Sequence, residues 1–199
     1  MVKGDLTPAL VHAMEAQVGN AVENLAATGV DVIAYCDMVT TFIMEPGWNE
    51  AAVAKIASET GAKAISAWTS LRDALAALGV KRFALGTPYP AKIHAIGLPF
   101  FKSRGYDVTS DHTLDILATR EVPTVDRNRL MPMIDALDLS SAEALVLLAT
   151  DIPTFGMIAE IEQKIGRPVV TSNQALLWGA MRALGIKDRI APLGKLFTT

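Results

Sequence analysis

Gly29-Val30-Asp31-Val32-Ile33-Ala34-Tyr35-Cys36-Asp37-Met38-Val39-Thr40-Thr41 is the stretch that decides the fold. The glycine ends a helix, and the run from Asp31 to Cys36 reads as a buried parallel strand. It then gives way to small and polar residues, as at the carboxyl end of a strand. A second such place is Leu147-Leu148-Ala149-Thr150-Asp151-Ile152-Pro153-Thr154, after the most apolar run, Ala144–Leu148. In open α/β sheets ligands bind outside the carboxyl ends of the strands. Two such ends in one chain therefore predict one cleft between them.

Outward from these runs the pattern alternates. Thr7 as N-cap and Pro8 at the first helical position open a helix to about Thr28. Helices are expected at Trp48–Thr60, from an N-cap at Thr69 to Leu78, at about Lys92–Ser103 with an interruption near Pro99, at Val125–Leu137 bent by Pro132, at Phe155–Ile165 and at Gln174–Leu184. Strands are expected at Lys63–Ser66, Arg82–Gly86, Tyr106–Ser110 and Pro168–Ser172. Such alternation predicts α/β architecture with parallel sheets covered by helices. Ala76-Ala77-Leu78-Gly79-Val80-Lys81 recurs as Arg182-Ala183-Leu184-Gly185-Ile186-Lys187, each after a strand, a turn and a helix. Two pseudo-symmetric parallel-sheet half-domains follow: residues 1–79 with 173–199, and residues 80–172.

Composition excludes several classes. The 199 residues are 51% hydrophobic, enough for a sizeable core, and carry a net charge of −3. Neither nucleic acid nor an anionic membrane surface is an expected partner. One cysteine forms no intrachain disulfide, and His12, His94 and His112 lack metal-ligand spacing, so no metal is expected. No apolar run approaches the roughly 20 residues of a membrane span, and the N-terminus lacks the apolar core of a signal peptide. A cytoplasmic location is expected.

Thr7-Pro8 opening a long helix, Gly29–Tyr35, Ala77-Leu78-Gly79-Val80-Lys81-Arg82, Thr87-Pro88-Tyr89, and Pro168-Val169-Val170-Thr171-Ser172-Asn173-Gln174-Ala175-Leu176-Leu177-Trp178 together resemble the aspartate/glutamate racemase superfamily. The branch they resemble most is that of the maleate cis-trans isomerases and arylmalonate decarboxylases, down to the tail Gly194-Lys195-Leu196-Phe197. The resemblance implies a cofactor-independent isomerase, racemase or decarboxylase-like lyase acting on a small carboxylate. It implies a cysteine at a strand end in each half, and strand-end hydroxyls and amides that hold the substrate carboxylates, in the manner of an oxyanion hole. Thr87 and Tyr89 fall on a motif that lines the substrate pocket in the family.

The chain departs from that pattern. An ungapped match on Ile158-Ala159-Glu160-Ile161-Glu162 puts the second family cysteine on Ala149, and the first falls on Asp37, just after Cys36. Adjacent strand residues point to opposite faces, so Cys36 or Asp37 faces the cleft; a one-residue bulge would deliver Cys36. Either is the candidate acid/base or nucleophile. Asp37 also reads as a capping or turn carboxylate, Cys36 as a buried thiol and Asp151 as a helix-start carboxylate. Thr150, Ser172 and Asn173 are candidate oxyanion contacts, with capping as the plainer account of the last two. Met38, Trp68 and Trp178 read as core, His94 and His112 as surface. Family members also carry a strand-helix-strand block of roughly 40 residues before the helix that starts at Thr7. Without it the strand Asp31–Cys36 becomes an apolar edge, which predicts association of copies there. Two functions remain open from the sequence: an enzyme on a small carboxylate, or a silent carboxylate-binding or regulatory paralogue.

Overall fold

The computed structural model describes residues 4–199; Met1, Val2 and Lys3, part of the N-terminus read above, lie outside the described residues. Two parallel sheets carry the chain. In the first, β1 (Val32–Tyr35) pairs with β2 (Lys63–Ser66) in unbroken register. In the second, β3 (Arg82–Thr87), β4 (Asp107–Thr113), β5 (Ala144–Leu147) and β6 (Val169–Thr171) stand in the order β4-β3-β5-β6. β5 is buried at every position, as its unbroken apolar run requires of a central parallel strand.

The helices are α1 (Pro8–Glu15), α2 (Val18–Ala26), α3 (Val39–Ile43), α4 (Trp48–Thr60), α5 (Ala67–Ala77), α6 (Ala91–Ser103), α7 (Arg127–Asp135), α8 (Ile158–Ile165) and α9 (Ser172–Ala183). β1-β2-α5 repeats as β5-β6-α9. In both copies the second strand runs straight into a helix closed by a capping box, Ser66 with Thr69 and Thr171 with Gln174. The two repeat helices pack together at Gly179, where an added Cβ would stand 2.6 Å from the Ser70 hydroxyl. Only a glycine lets the backbones come so close.

One apolar core fills the four-stranded sheet and reaches Ile65 of β2, from Val11 and Met38 to Val146 and Phe197. Aromatic edges knit it across the junction: Trp68 meets Phe100 at 4.8 Å and Phe83 meets Phe101 at 5.2 Å between ring centroids. Val22, Ile33 and Ile56 form a separate small cluster beside the two-stranded sheet.

Four local readings change. The single helix expected from Thr7 to Thr28 is two, because α1 sends Val11 into the main core while α2 sends Val22 into the small cluster. The break at Ala16-Gln17 contains neither glycine nor proline, so tertiary packing makes it. Ser66, not Thr69, is the N-cap of α5; Thr69 is its capping-box partner. Pro99 and Pro132 lie inside continuous helices. For Pro99 the lost bond would go to the carbonyl of Ala95, an exposed residue. His94, read as surface, is buried at 5% exposure.

Candidate active site

The segments leaving β1 and β5 meet. The Thr150 hydroxyl donates to the Cys36 carbonyl at 3.0 Å, tying the two strand ends together. Because successive residues of extended chain point to opposite sides, Cys36 and Asp37 part company there. Asp37 lines a small cavity of about 90 Å³ together with Tyr89, Ala149, Thr150 and Asp151. Cys36 lines an open groove of about 440 Å³ with Thr150, Phe155, Asn173 and Leu176. Thr150 stands in the wall between them. β1 carries no bulge, so nothing turns the thiol into the cavity.

Asp37 also caps α3. Its Oδ1 accepts from the Val39 N–H at 2.9 Å, and its Oδ2 from the Thr40 N–H at 3.3 Å and from the Thr40 hydroxyl. A carboxylate offers about four acceptor directions. The cap therefore leaves one, and the capping and cavity readings hold for the same side chain. On the facing strand end Asp151 has no such donors. Desolvation, and next the charge of Asp37, raise its pKa above the usual carboxylate range.

Tyr89 is 5% exposed and closes the cavity from the second sheet. The loop presenting it is clamped along β4 and its continuation: Leu114 N–H to Thr87 C=O at 2.9 Å, Ile116 N–H to Pro88 C=O at 2.9 Å, and the Thr113 hydroxyl to Tyr89 C=O. Burial lifts the phenol well above its ordinary pKa, the charges of Asp37 and Asp151 add to this, and the Ala149 N–H opposes it. Tyr89 is thus a standing O–H donor. Burial, then Asp37, also push the Cys36 thiol upward; the residue is exposed, yet its sulfur packs along the chain and donates to Ala34 C=O at 3.4 Å.

The remaining candidates lie apart. Thr87 is 1% exposed and lines neither space; its hydroxyl pairs with His94 Nδ1 at 2.8 Å, and His94 Nε2 pairs with Asp111 Oδ1 at 2.8 Å. Ser172, the first residue of α9, is also 1% exposed and lines neither space. Asn173 reaches the groove, its Nδ2 donating to Ile152 C=O at 2.9 Å. Sequence reasoning missed the lid. Gly4–Leu6 runs beside Leu117–Thr119, with an antiparallel bridge between Asp5 and Ala118, and brings Leu6 onto the cavity, where Met14 of α1 adds to the wall. No local signal marks that pairing. It missed, too, that Ala149 sits at φ 87°, a left-handed conformation that non-glycine residues adopt at a cost. Among the described residues, no group of three or more His, Cys, Asp or Glu is placed to hold a metal.

The family model for arylmalonate decarboxylase matches residues 4–197. The chain belongs to that family. Curated relatives include the maleate isomerase of Geobacillus stearothermophilus, 29% identical over 84% of this chain and 69% of that protein. The arylmalonate decarboxylase of Bordetella bronchiseptica is 26% identical over 98% of this chain and 82% of its own length. Among solved structures, a cysteine-to-serine mutant of the Nocardia farcinica maleate cis-trans isomerase, which holds a covalently bound succinylcysteine intermediate, superposes with a TM-score of 0.93 at 26% identity. The match covers 98% of this chain and 82% of that one. As a member of the arylmalonate decarboxylase family the chain keeps the parallel α/β fold of those enzymes. No helix among its described residues is long and apolar enough to cross a membrane.

Proposed function

We propose that this chain is a cofactor-independent enzyme of the isomerase and decarboxylase type that moves a proton at the carbon next to a carboxylate. The observation that carries the reading is the convergence of Asp37, Tyr89 and Asp151 on one cavity at paired strand ends, while the thiol of Cys36 turns away. Two acids in different surroundings take different roles. Asp37, accepting three hydrogen bonds, is the acceptor that removes the proton; Asp151, unpartnered and with its pKa raised, is the acid that returns one. Tyr89 donates to the substrate carboxylate, stabilising the enediolate formed as the carbon–hydrogen bond breaks. In this reading Cys36, Thr150 and Asn173 belong to the outer groove and to the joint between strands, and Thr87 and Ser172 act through packing.

The test is exchange of a carbon-bound proton for deuterium in a panel of small carboxylic acids, followed by NMR. Exchange that falls at least tenfold in Tyr89→Phe and in Asp151→Asn, but survives in Cys36→Ser, supports the assignment. Exchange abolished by Cys36→Ser alone overturns it. Ligand-dependent thermal stabilisation with neither exchange nor product identifies a binding protein instead.

Association of copies belongs to the same proposal. β5 is paired on both sides, by β3 and β6, whereas its counterpart β1 is paired among the described residues by β2 alone. The free side of Val32–Tyr35 bears no charge and no proline, the usual guards of an edge. Sedimentation should show a dimer or higher species at micromolar concentration; a stable monomer counts against the association.

A further inference from the structure

The two carboxylate oxygens of Asp37 are held unequally. Oδ2 accepts twice, from the Thr40 N–H at 3.3 Å and from the Thr40 hydroxyl. Among the described residues Oδ1 accepts once, from the Val39 N–H at 2.9 Å. Each carboxylate oxygen offers about two acceptor directions, so Oδ2 is filled and the open direction lies on Oδ1. Asp37 lines the inner cavity, whereas Thr40 stands behind it and lines neither space. A residue outside the cavity thus decides which oxygen of the base stays available.

Thr40 is fully buried, and the Tyr35 hydroxyl lies 3.5 Å from its own. Tyr35 has one proton to give, and the shorter contact, 2.7 Å to Glu15 Oε2, takes it. The Thr40 proton is therefore free to serve Asp37, in a charge-assisted bond of the stronger kind. The rest of α3 is held without that hydroxyl. Thr41 Oγ1 accepts from Asn49 Nδ2 at 2.8 Å, and Asn49 Oδ1 accepts from the Ser66 hydroxyl at 2.6 Å, tying the short helix to α4 and to the start of α5. Phe42 packs edge-on against Phe100 and Phe101. Loss of the Thr40 hydroxyl alone would leave the helix in place and Oδ2 on a single bond of 3.3 Å.

Resting on the proton-transfer reading above, we propose that Thr40 is a positioning residue, which anchors Oδ2 of Asp37 so that Oδ1 is the oxygen that takes the proton. As the carbon–hydrogen bond breaks, the proton moves to Oδ1 and the electron pair stays with the substrate, in the enediolate. Thr40 touches neither the proton nor the substrate. It keeps the base aimed, and small errors of aim are costly in rate. Oδ2 keeps both of its donors whether Oδ1 is charged or protonated, so the carboxyl group has no need to turn between the two states.

The test is deuterium exchange at the α-carbon of butyrate, succinate and phenylacetate by the full chain in D2O, followed by NMR over a range of acid concentrations. Thr40→Val keeps the shape and loses the hydroxyl; kcat for exchange should fall about tenfold or more with KM little changed. Thr40→Ser returns the hydroxyl and should return most of the rate. Tyr35→Phe is the control for loosening. It breaks the 2.7 Å bond to Glu15, so it should melt at a lower temperature yet exchange at the rate of the unaltered protein. Full activity in Thr40→Val, or an equal loss in Thr40→Val and Thr40→Ser, overturns the role of the hydroxyl and leaves the proton-transfer reading standing. So does a loss in Tyr35→Phe as large as that in Thr40→Val, which makes a loosened segment the cause. A rise in KM at constant kcat also overturns it, since Thr40 would then serve binding. Should circular dichroism show Thr40→Val unfolded, Thr40→Ala carries the same expectations. Exchange in none of these acids with the unaltered protein overturns both readings together.

Discussion

The hydroxyl of Thr150 donates to the backbone carbonyl of Cys36 across 3.0 Å, joining residues 114 apart in the chain. It is the direct link between the ends of β1 and β5, and Thr150 lines both the inner cavity and the outer groove. Thr150→Val keeps the shape and removes the bond, leaving a carbonyl to find water. The expected loss is about 1 kcal/mol of unfolding free energy. Thr150→Ser should recover most of it. Urea denaturation of the three proteins measures both, and an unchanged midpoint in Thr150→Val would show that the joint is held by packing alone.

Ala149 stands next to that joint at φ 87°, where a Cβ is strained. Ala149→Gly relieves the strain at the expense of a more flexible unfolded chain. The net expectation is stabilisation of about 0.5–1 kcal/mol, read as a higher denaturation midpoint with an unchanged slope. A lower midpoint would mean that the methyl group contributes more as cavity wall than it costs as backbone strain.

Much of this architecture is legible in the residues themselves. Unbroken apolar runs gave β5 and β6, and the helix Trp48–Thr60 is found at the bounds expected of it. Glycines at 61, 79, 166 and 185 do stand at positive φ after helices. The repeat around Leu78 and Leu184 corresponds to two helices that pack on each other. What the sequence left open is what tertiary contact decides. Strand alternation said that Cys36 and Asp37 face apart, but not which one faces inward, because that depends on the segment beyond Leu147. For Asp37 the sequence offers capping and chemistry as alternatives, and only the folded segment shows that the side chain accepting the first N–H groups of α3 is also the one on the cavity wall. The pairing of Gly4–Leu6 with Leu117–Thr119 joins two irregular segments, which no local periodicity announces.

The thiol of Cys36 should react slowly. Burial and the nearby Asp37 charge both disfavour the thiolate, the species that attacks an alkylating reagent. Iodoacetamide modification should therefore rise with pH along a curve displaced above that of an unperturbed thiol. Asp37→Asn removes the smaller cause and keeps an oxygen for the cap, so it should shift the curve back only partway. Mass spectrometry of timed reactions reads the rates. Rapid alkylation near neutral pH would contradict the raised thiol.

Asp151 makes a prediction about pH and stability. Its pKa is higher in the folded protein than in the unfolded chain, so the folded state holds the extra proton across the interval between the two values. Stability then falls as pH rises through that interval and reaches its full deficit above the folded value. Asp151→Asn cannot ionise and escapes the deficit. It should melt at a higher temperature than the unaltered protein near pH 7, with the difference closing below about pH 4, where the aspartate is protonated in both states. A difference that grows on acidification would reverse the sign and refute the raised pKa.

His94 links the surface to the loop that carries Tyr89. Its Nε2 meets Asp111 Oδ1 and its Nδ1 meets the Thr87 hydroxyl, each at 2.8 Å. Asp111 accepts, so Nε2 carries a proton; in the neutral ring Nδ1 is then bare and accepts from Thr87. Thr87 is 1% exposed, and replacing His94 with leucine leaves its hydroxyl without that partner in a place water does not reach. The expected cost is about 1–3 kcal/mol. His94→Leu/Thr87→Val removes both polar groups and should recover a large part of that cost, because an apolar pair of similar shape has nothing left unsatisfied. A double-mutant cycle by urea denaturation measures the coupling. If the single and double variants lose stability additively, the Thr87–His94 bond is not what holds the Tyr89 loop, and the clamp along Leu114 and Ile116 bears that role instead.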